Sequence, residues 1–207
     1  MAIQGSLLDT SPNPAPRPLG DDHERVQLGL GAWLDLERGW IARSDLLFER
    51  LLDGVPWQAE RRRMYDHMVD VPRLVRFYDE CEALPDPVLE QVKSVLSVHY
   101  GSESGDPFTT AGLCLYRDGR DSVAWHGDRI GRGSTEDTTV AIVSLGNPRR
   151  FLVRPRGGGA AMRYELGNGD LLVMGGSFQR TWEHSIPKTN RAVGPRISVQ
   201  FRPRDVR

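Results

Sequence analysis

The stretch "AMRYELGNGDLLVMGG", residues 161–176, joins two short apolar and aromatic runs through Gly-Asn-Gly-Asp. Runs of this kind suit a pleated surface, and Gly and Asn tolerate the backbone angles that redirect a chain, so the pattern predicts strand, turn, strand. The same pattern extends to both sides: "AGLCLY" (111–116), "SVAWH" (122–126), "TTVAIVSLG" (138–146) and "RRFLVRP" (149–155) precede it, and "RTWEHSI" (180–186) and "RISVQFR" (196–202) follow. Turn formers such as "RDGRD" and "RGGG" separate the runs. Eight short strands predict a jelly roll or closed barrel, an architecture whose mouth commonly holds a ligand.

Before residue 111 the pattern differs. "RSDLLFERLLDG" reads as a helix capped by Ser44 and stopped near Gly54, and "LPDPVLEQVKSVLSVHYG" as a second ending at Gly101, with Leu89, Val92 and Leu96 at helical spacing. Residues 1–22, rich in Pro, Ser and Asp, carry no core periodicity and are expected to be a flexible tail. The fold class expected is mainly β (α+β): one domain over 23–207, with helices over 23–110 packed on a β core over 111–204.

Composition narrows the setting. Of 207 residues, 39% are hydrophobic and 27% charged, and no apolar run is long enough to span a bilayer. The N-terminus lacks a basic segment followed by an apolar one, which predicts a cytoplasmic protein with no membrane partner and, by expectation, a monomer. Two cysteines, Cys81 and Cys114, are too few for a disulfide framework and are expected to pack. The net charge of −1 conceals a bias: residues 1–110 carry 11 Lys and Arg against 19 Asp and Glu, and residues 111–207 carry 16 against 9. A basic C-terminal half permits a polyanionic partner.

In "SVAWHGD" (122–128), strand alternation would turn His126 and Asp128 to one face and Trp125 to the other. Of the other histidines, His184 in "TWEHSIPK" also lies late in a strand beside a Trp, whereas His23, His67 and His99 fall in the tail, a charged segment and a helix end. Two histidines and a carboxylate in this order match the facial triad that holds non-haem Fe(II) with positions left open. "PRISVQFR" places Arg196, Ser198, Gln200 and Arg202 on one strand face, where inward guanidinium groups call for an anion.

Together "LCLYRDGRDSVAWHGD", "DLLVMGGSFQRTWEHSIPK" and "PRISVQFR" resemble successive motifs of the AlkB family of Fe(II)- and 2-oxoglutarate-dependent dioxygenases, over roughly residues 111–204. "VPWQAERRRMYDHMVDVPRLVRFYDE" resembles that family's substrate lid more loosely. The resemblance implies a double-stranded β-helix core, with Fe(II) held by His126, Asp128 and His184, and 2-oxoglutarate and O2 as co-substrates. It implies that Arg196 and Tyr116 bind the distal carboxylate of 2-oxoglutarate, with Ser198 and Arg202 nearby. It further implies oxidative demethylation of nucleobases of the 1-methyladenine or 3-methylcytosine type in DNA, as direct alkylation repair on a single strand or a base flipped from a duplex.

Substrate contacts are expected from Trp57, Arg73, Tyr78 and Arg129, with Arg61, Arg62, Arg63 and Phe77 as further lid candidates. Two departures stand out. Cys114 and Ser198 occupy places where the family often has Asn, and Arg129 and Ile130 stand where many members have an acid. An RNA demethylase, another 2-oxoglutarate oxygenase and a catalytically silent β-barrel binding module remain as alternatives.

Overall fold

The structure, a computed structural model, describes residues 12–20, 24–64, 67–104 and 106–206. All eight expected strands are present, as β7 (Phe108–Tyr116), β8 (Val123–His126), β9 (Val140–Gly146), β10 (Arg149–Pro155), β11 (Met162–Leu166), β12 (Asp170–Gly176), β13 (Trp182–Ile186) and β14 (Arg196–Pro203). They divide between two antiparallel sheets: the order β12-β9-β14-β7 lies within a large sheet and β11-β10-β13-β8 forms a small one. That interleaving is a jelly roll. The Gly-Asn-Gly link between β11 and β12 carries the chain from the small sheet to the large one rather than closing a hairpin.

Six further strands come from the N-terminal part, where sequence reading found helices alone: β1 (Ala15–Pro16), β2 (Glu24–Gly29), β3 (Ala32–Glu37), β4 (Ile41–Ala42), β5 (Gln58–Met64) and β6 (His67–Tyr78). β2 and β3 extend the large sheet past β12, and β6 and β5 extend it past β7, giving eight strands in the order β2-β3-β12-β9-β14-β7-β6-β5. The helices are α1 (Ser44–Gly54) and α2 (Pro87–Ser104), with a single turn, α3 (Phe178–Thr181), before β13.

Both long helices sit on one face of the large sheet. Leu47 and Leu51 of α1 and Leu89, Val92 and Leu96 of α2 form one core with Val143, Leu145, Val173, Val199 and Phe201. Each such side chain contributes roughly 1.5–3 kcal/mol by leaving water. Because strand side chains alternate, the opposite face meets the small sheet, with Leu172, Met174, Phe151, Val153 and Phe178 in a second core. The space between the sheets, beside that second core, is where the site lies.

Three expectations need correction. Ser44 is the first helical residue rather than the cap: the capping position is Arg43, whose left-handed backbone (φ 49) turns the chain from β4 directly into α1. α2 continues past Gly101 to Ser104 because its last turns are held from outside: the Tyr100 hydroxyl donates to Asp35, and Arg25 pairs with both Asp35 and Glu103. The expected flexible tail does not include residues 12–20. Ala15–Pro16 pairs with Ile41–Ala42, Arg17 exchanges two hydrogen bonds with Trp40, and Leu19 packs on the first core. Residues 1–11 lie outside the described residues.

Candidate iron and 2-oxoglutarate site

The register of β8 against β13 sets His126 opposite His184. Their rings stand 4.2 Å apart between centroids, and the alternation expected for "SVAWHGD" holds, since Trp125 turns to the other face beneath the Arg154 guanidinium at 4.1 Å. Asp128 follows the strand. Its backbone N–H donates to the side chain of Gln179, and Arg202 Nε donates to its Oδ2 at 2.8 Å. Gly127 makes this turn possible, because a Cβ there would stand 2.6 Å from the Gln179 carbonyl oxygen. His126, Asp128 and His184 thereby offer ligand atoms that all lie within 4.8 Å of one another.

Charge and packing prepare these atoms as ligands. Burial alone would raise the Asp128 carboxyl, but Arg202, His184 and His126 together hold it well below the usual carboxylate range, so it stays anionic. Burial and the neighbouring His126 keep the His184 imidazole neutral, and Phe151 stacks on that ring at 5.3 Å. His126 Nδ1 lies 2.9 Å from the Ala124 carbonyl oxygen, which fixes the ring and leaves Nε2 on the Asp128 side. A carboxylate and two imidazoles are the donor set of a non-haem Fe(II) centre, and their convergence fits that metal.

The same cavity, of about 1000 Å³, runs from the triad to Arg196. Arg196 is 1% exposed; its Nε donates to Ser144 Oγ, while Nη1 and Nη2 are buried without a partner. Burial, with the Arg149 guanidinium nearby, pulls its pKa below the ordinary value. A buried guanidinium with no counter-anion costs several kcal/mol, so this end of the cavity suits an anion that the described residues do not supply. Tyr116, the residue opposite Arg196 in the β7–β14 ladder, has its ring centroid 5.4 Å from the Arg196 guanidinium carbon. Burial pushes its phenol up, so the hydroxyl keeps its hydrogen and can donate. Arg196 and Tyr116 could together hold one carboxylate of a dicarboxylate in the cavity that His126, Asp128 and His184 also line.

Not every residue named from sequence comes to the cavity. Arg73 and Phe77 of β6 line it, and Arg73 Nη1 donates to the Ser122 carbonyl. Tyr78, one residue on, turns to the other face and is buried in the helix-side core. Trp57 packs against that core with its indole N–H on the Leu52 carbonyl. Arg129 is exposed, and the neighbouring Ile130 lines the cavity instead. The side chains of Arg61, Arg62, Arg63 and His67 lie outside the described residues. Cys81 is exposed rather than packed, and Cys114 lines the cavity. Sequence reading missed Gln179, which carries no signal beyond its type, and Glu60 and Gln58 on the cavity wall, whose strand was not recognised.

Comparison with known proteins agrees with the geometry. The 2OG-Fe(II) oxygenase superfamily profile matches residues 56–202. The chain is 33% identical to the DNA oxidative demethylase ALKBH2 of Arabidopsis thaliana, covering 98% of this chain and 75% of that protein. It is 30% identical to the alpha-ketoglutarate-dependent dioxygenase alkB homolog 3 of Bos taurus over 78% of this chain and 62% of that protein, so it spans about three-fifths of that relative's length. Among solved structures, OsALKBH1 superposes with a TM-score of 0.62 at 13% identity, over 87% of this chain and 100% of that one. With the triad, the orphaned arginine and the jelly roll in place, the chain belongs to the 2OG-Fe(II) oxygenase superfamily, as a homologue of the AlkB proteins.

Proposed function

We propose that this protein oxidatively demethylates N-methylated nucleobases in DNA. The observation that carries the reading is one cavity holding both the His126–Asp128–His184 cluster and the Arg196 guanidinium, whose Nη1 and Nη2 have no partner among the described residues. When bound there, Fe(II) with 2-oxoglutarate and O2 supplies the oxidising power: one oxygen atom enters the substrate C–H bond, the other enters succinate, and CO2 leaves.

The chain's own residues do the positioning. Arg196 and Tyr116, both buried, hold the distal carboxylate of the co-substrate in a charge-assisted contact. Arg202 keeps Asp128 anionic and oriented, and Gln179 fixes its backbone. Phe77 and Ile130 offer apolar surface for a base plane beside the triad, and Arg73 adds positive charge to the same wall. Hydroxylation of an N-methyl group gives a hydroxymethylamine, which breaks its C–N bond to release formaldehyde and the unmodified base. A stacked base cannot enter such a cavity, so the substrate is a single strand or a flipped nucleotide. The name of the Arabidopsis relative, a DNA oxidative demethylase, favours DNA.

The test is mass spectrometry of singly methylated DNA and RNA oligonucleotides incubated with the protein, Fe(II), 2-oxoglutarate and O2. Loss of the methyl group from DNA bearing 1-methyladenine or 3-methylcytosine is the expected result. Preference for the RNA strands would move the substrate class, and no demethylation across the panel, with 2-oxoglutarate still consumed, would place the substrate outside nucleic acid.

A further inference from the structure

The co-substrate end of the cavity contains an arrangement that the resemblance does not supply. Ser198 and Cys114, which stand where Asn is common in the family, face each other in the β7–β14 ladder. Two residues further along β14, the Gln200 carboxamide folds back over this pair. Its Nε2 donates to Ser198 Oγ at 2.7 Å, and its Oε1 lies 3.7 Å from Cys114 Sγ. Room for the fold exists because the residue opposite Gln200 is Gly112, where a Cβ would stand 3.2 Å from Gln200 Oε1 and 2.9 Å from Arg202 Nη1.

The direction of that hydrogen bond matters. Ser198 Oγ accepts from Gln200, so its own hydrogen is left to point elsewhere. No acceptor among the described residues takes it, and Ser198 lies on the same strand face as Arg196, two residues away, on the cavity wall. We propose that Gln200 is a positioning residue for co-substrate binding: it holds the Ser198 hydroxyl as a donor aimed at the 2-oxoglutarate carboxylate gripped by Arg196. A longer amide reached from further along the strand thus restores a polar contact that Cys114 and Ser198 would otherwise leave weak. The inference rests on the dioxygenase reading of the cavity.

The test is calorimetric titration of 2-oxoglutarate into the 207-residue chain loaded with Mn(II) in the absence of O2. Ser198→Ala removes a hydrogen bond to a charged group and weakens binding about tenfold. Gln200→Met weakens it about threefold, because the hydroxyl keeps its hydrogen but loses its direction. The double variant binds no worse than Ser198→Ala, since the amide acts only through the hydroxyl. Gln200→Glu keeps the size but reverses the bond, making Ser198 donate to the new carboxylate, and binds at least as poorly as Ser198→Ala.

In turnover the effect falls on KM for 2-oxoglutarate with kcat at saturation preserved, and unfolding temperatures of the ligand-free variants stay close to that of the parent. Arg204→Met, an exposed arginine paired with Glu80, serves as the control and binds 2-oxoglutarate like the parent. Binding by Ser198→Ala within twofold of the parent, or losses that multiply in the double variant, would overturn the inference while leaving the dioxygenase reading intact. Failure of the parent protein itself to bind 2-oxoglutarate would overturn both.

Discussion

Arg196 is the residue on which the co-substrate assignment turns. Replacing it with Met removes a charge-assisted contact of about 2–3 kcal/mol, so the apparent constant for 2-oxoglutarate should rise roughly 30-fold to 150-fold. A succinate-release titration at saturating iron measures this directly, and a rise below about threefold would return Arg196 to a merely structural role. Gly127→Ala should damage the metal site without touching a ligand, because the added methyl collides with the Gln179 carbonyl oxygen. Iron affinity measured by equilibrium dialysis should fall at least tenfold, in the range seen when residues that orient metal ligands are lost.

Residue types and their order made the triad legible from sequence, and alternation separated His126 from Trp125 and set Arg196 and Arg202 on one face of β14; Asp128 lies past the end of β8, where Gln179 and the Gly127 turn place it. Trp57 and Tyr78 were not legible as core residues. An aromatic side chain serves equally well for stacking on a base or for packing on a helix, and only the face it takes distinguishes the two.

At the scale of elements, β9, β12 and β14 announce themselves because both of their faces are buried or half-buried, which leaves dense apolar runs, and β10 and β11 because buried or half-buried residues alternate with exposed ones. β5 and β6 do not. They form the outer end of the large sheet, their sequences "QAERRRM" and "HMVDVPRLVRFY" mix charge with apolar residues, and β6 carries a Pro. "ERVQLGLGAWLDLE" went unread as well, although it holds two alternating runs about the Gly-Leu-Gly turn that closes the β2–β3 hairpin. β1 was hidden by Pro-rich composition, although two residues of strand suffice to anchor that segment. Deleting residues 1–20 should therefore cost about 2–3 kcal/mol, from the lost burial of Leu19 and the broken bonds between Arg17 and Trp40. Chemical denaturation checks this; an unchanged midpoint would show that the β1–β4 pairing adds nothing to stability.

Across the whole molecule, the excess of basic residues lies in the half that carries the β core, while the acidic excess lies in the part that supplies the helices and the sheet extensions. Nucleic-acid affinity should fall with salt, with a logarithmic slope of about −0.7 for each phosphate neutralised on a single strand. Affinity for 2-oxoglutarate should change much less, since Arg196 is buried and poorly screened. Fluorescence anisotropy and calorimetry over the same salt series separate the two. In the proposed function, one cavity couples 2-oxoglutarate decarboxylation to demethylation through His126, Asp128 and His184. The most direct test of that coupling is the simultaneous assay of succinate and formaldehyde during turnover of a DNA oligonucleotide bearing a single 1-methyladenine. The account predicts equal amounts of both from the parent protein and neither from Asp128→Ala; formaldehyde released without succinate, or by Asp128→Ala at the parent rate, would contradict it.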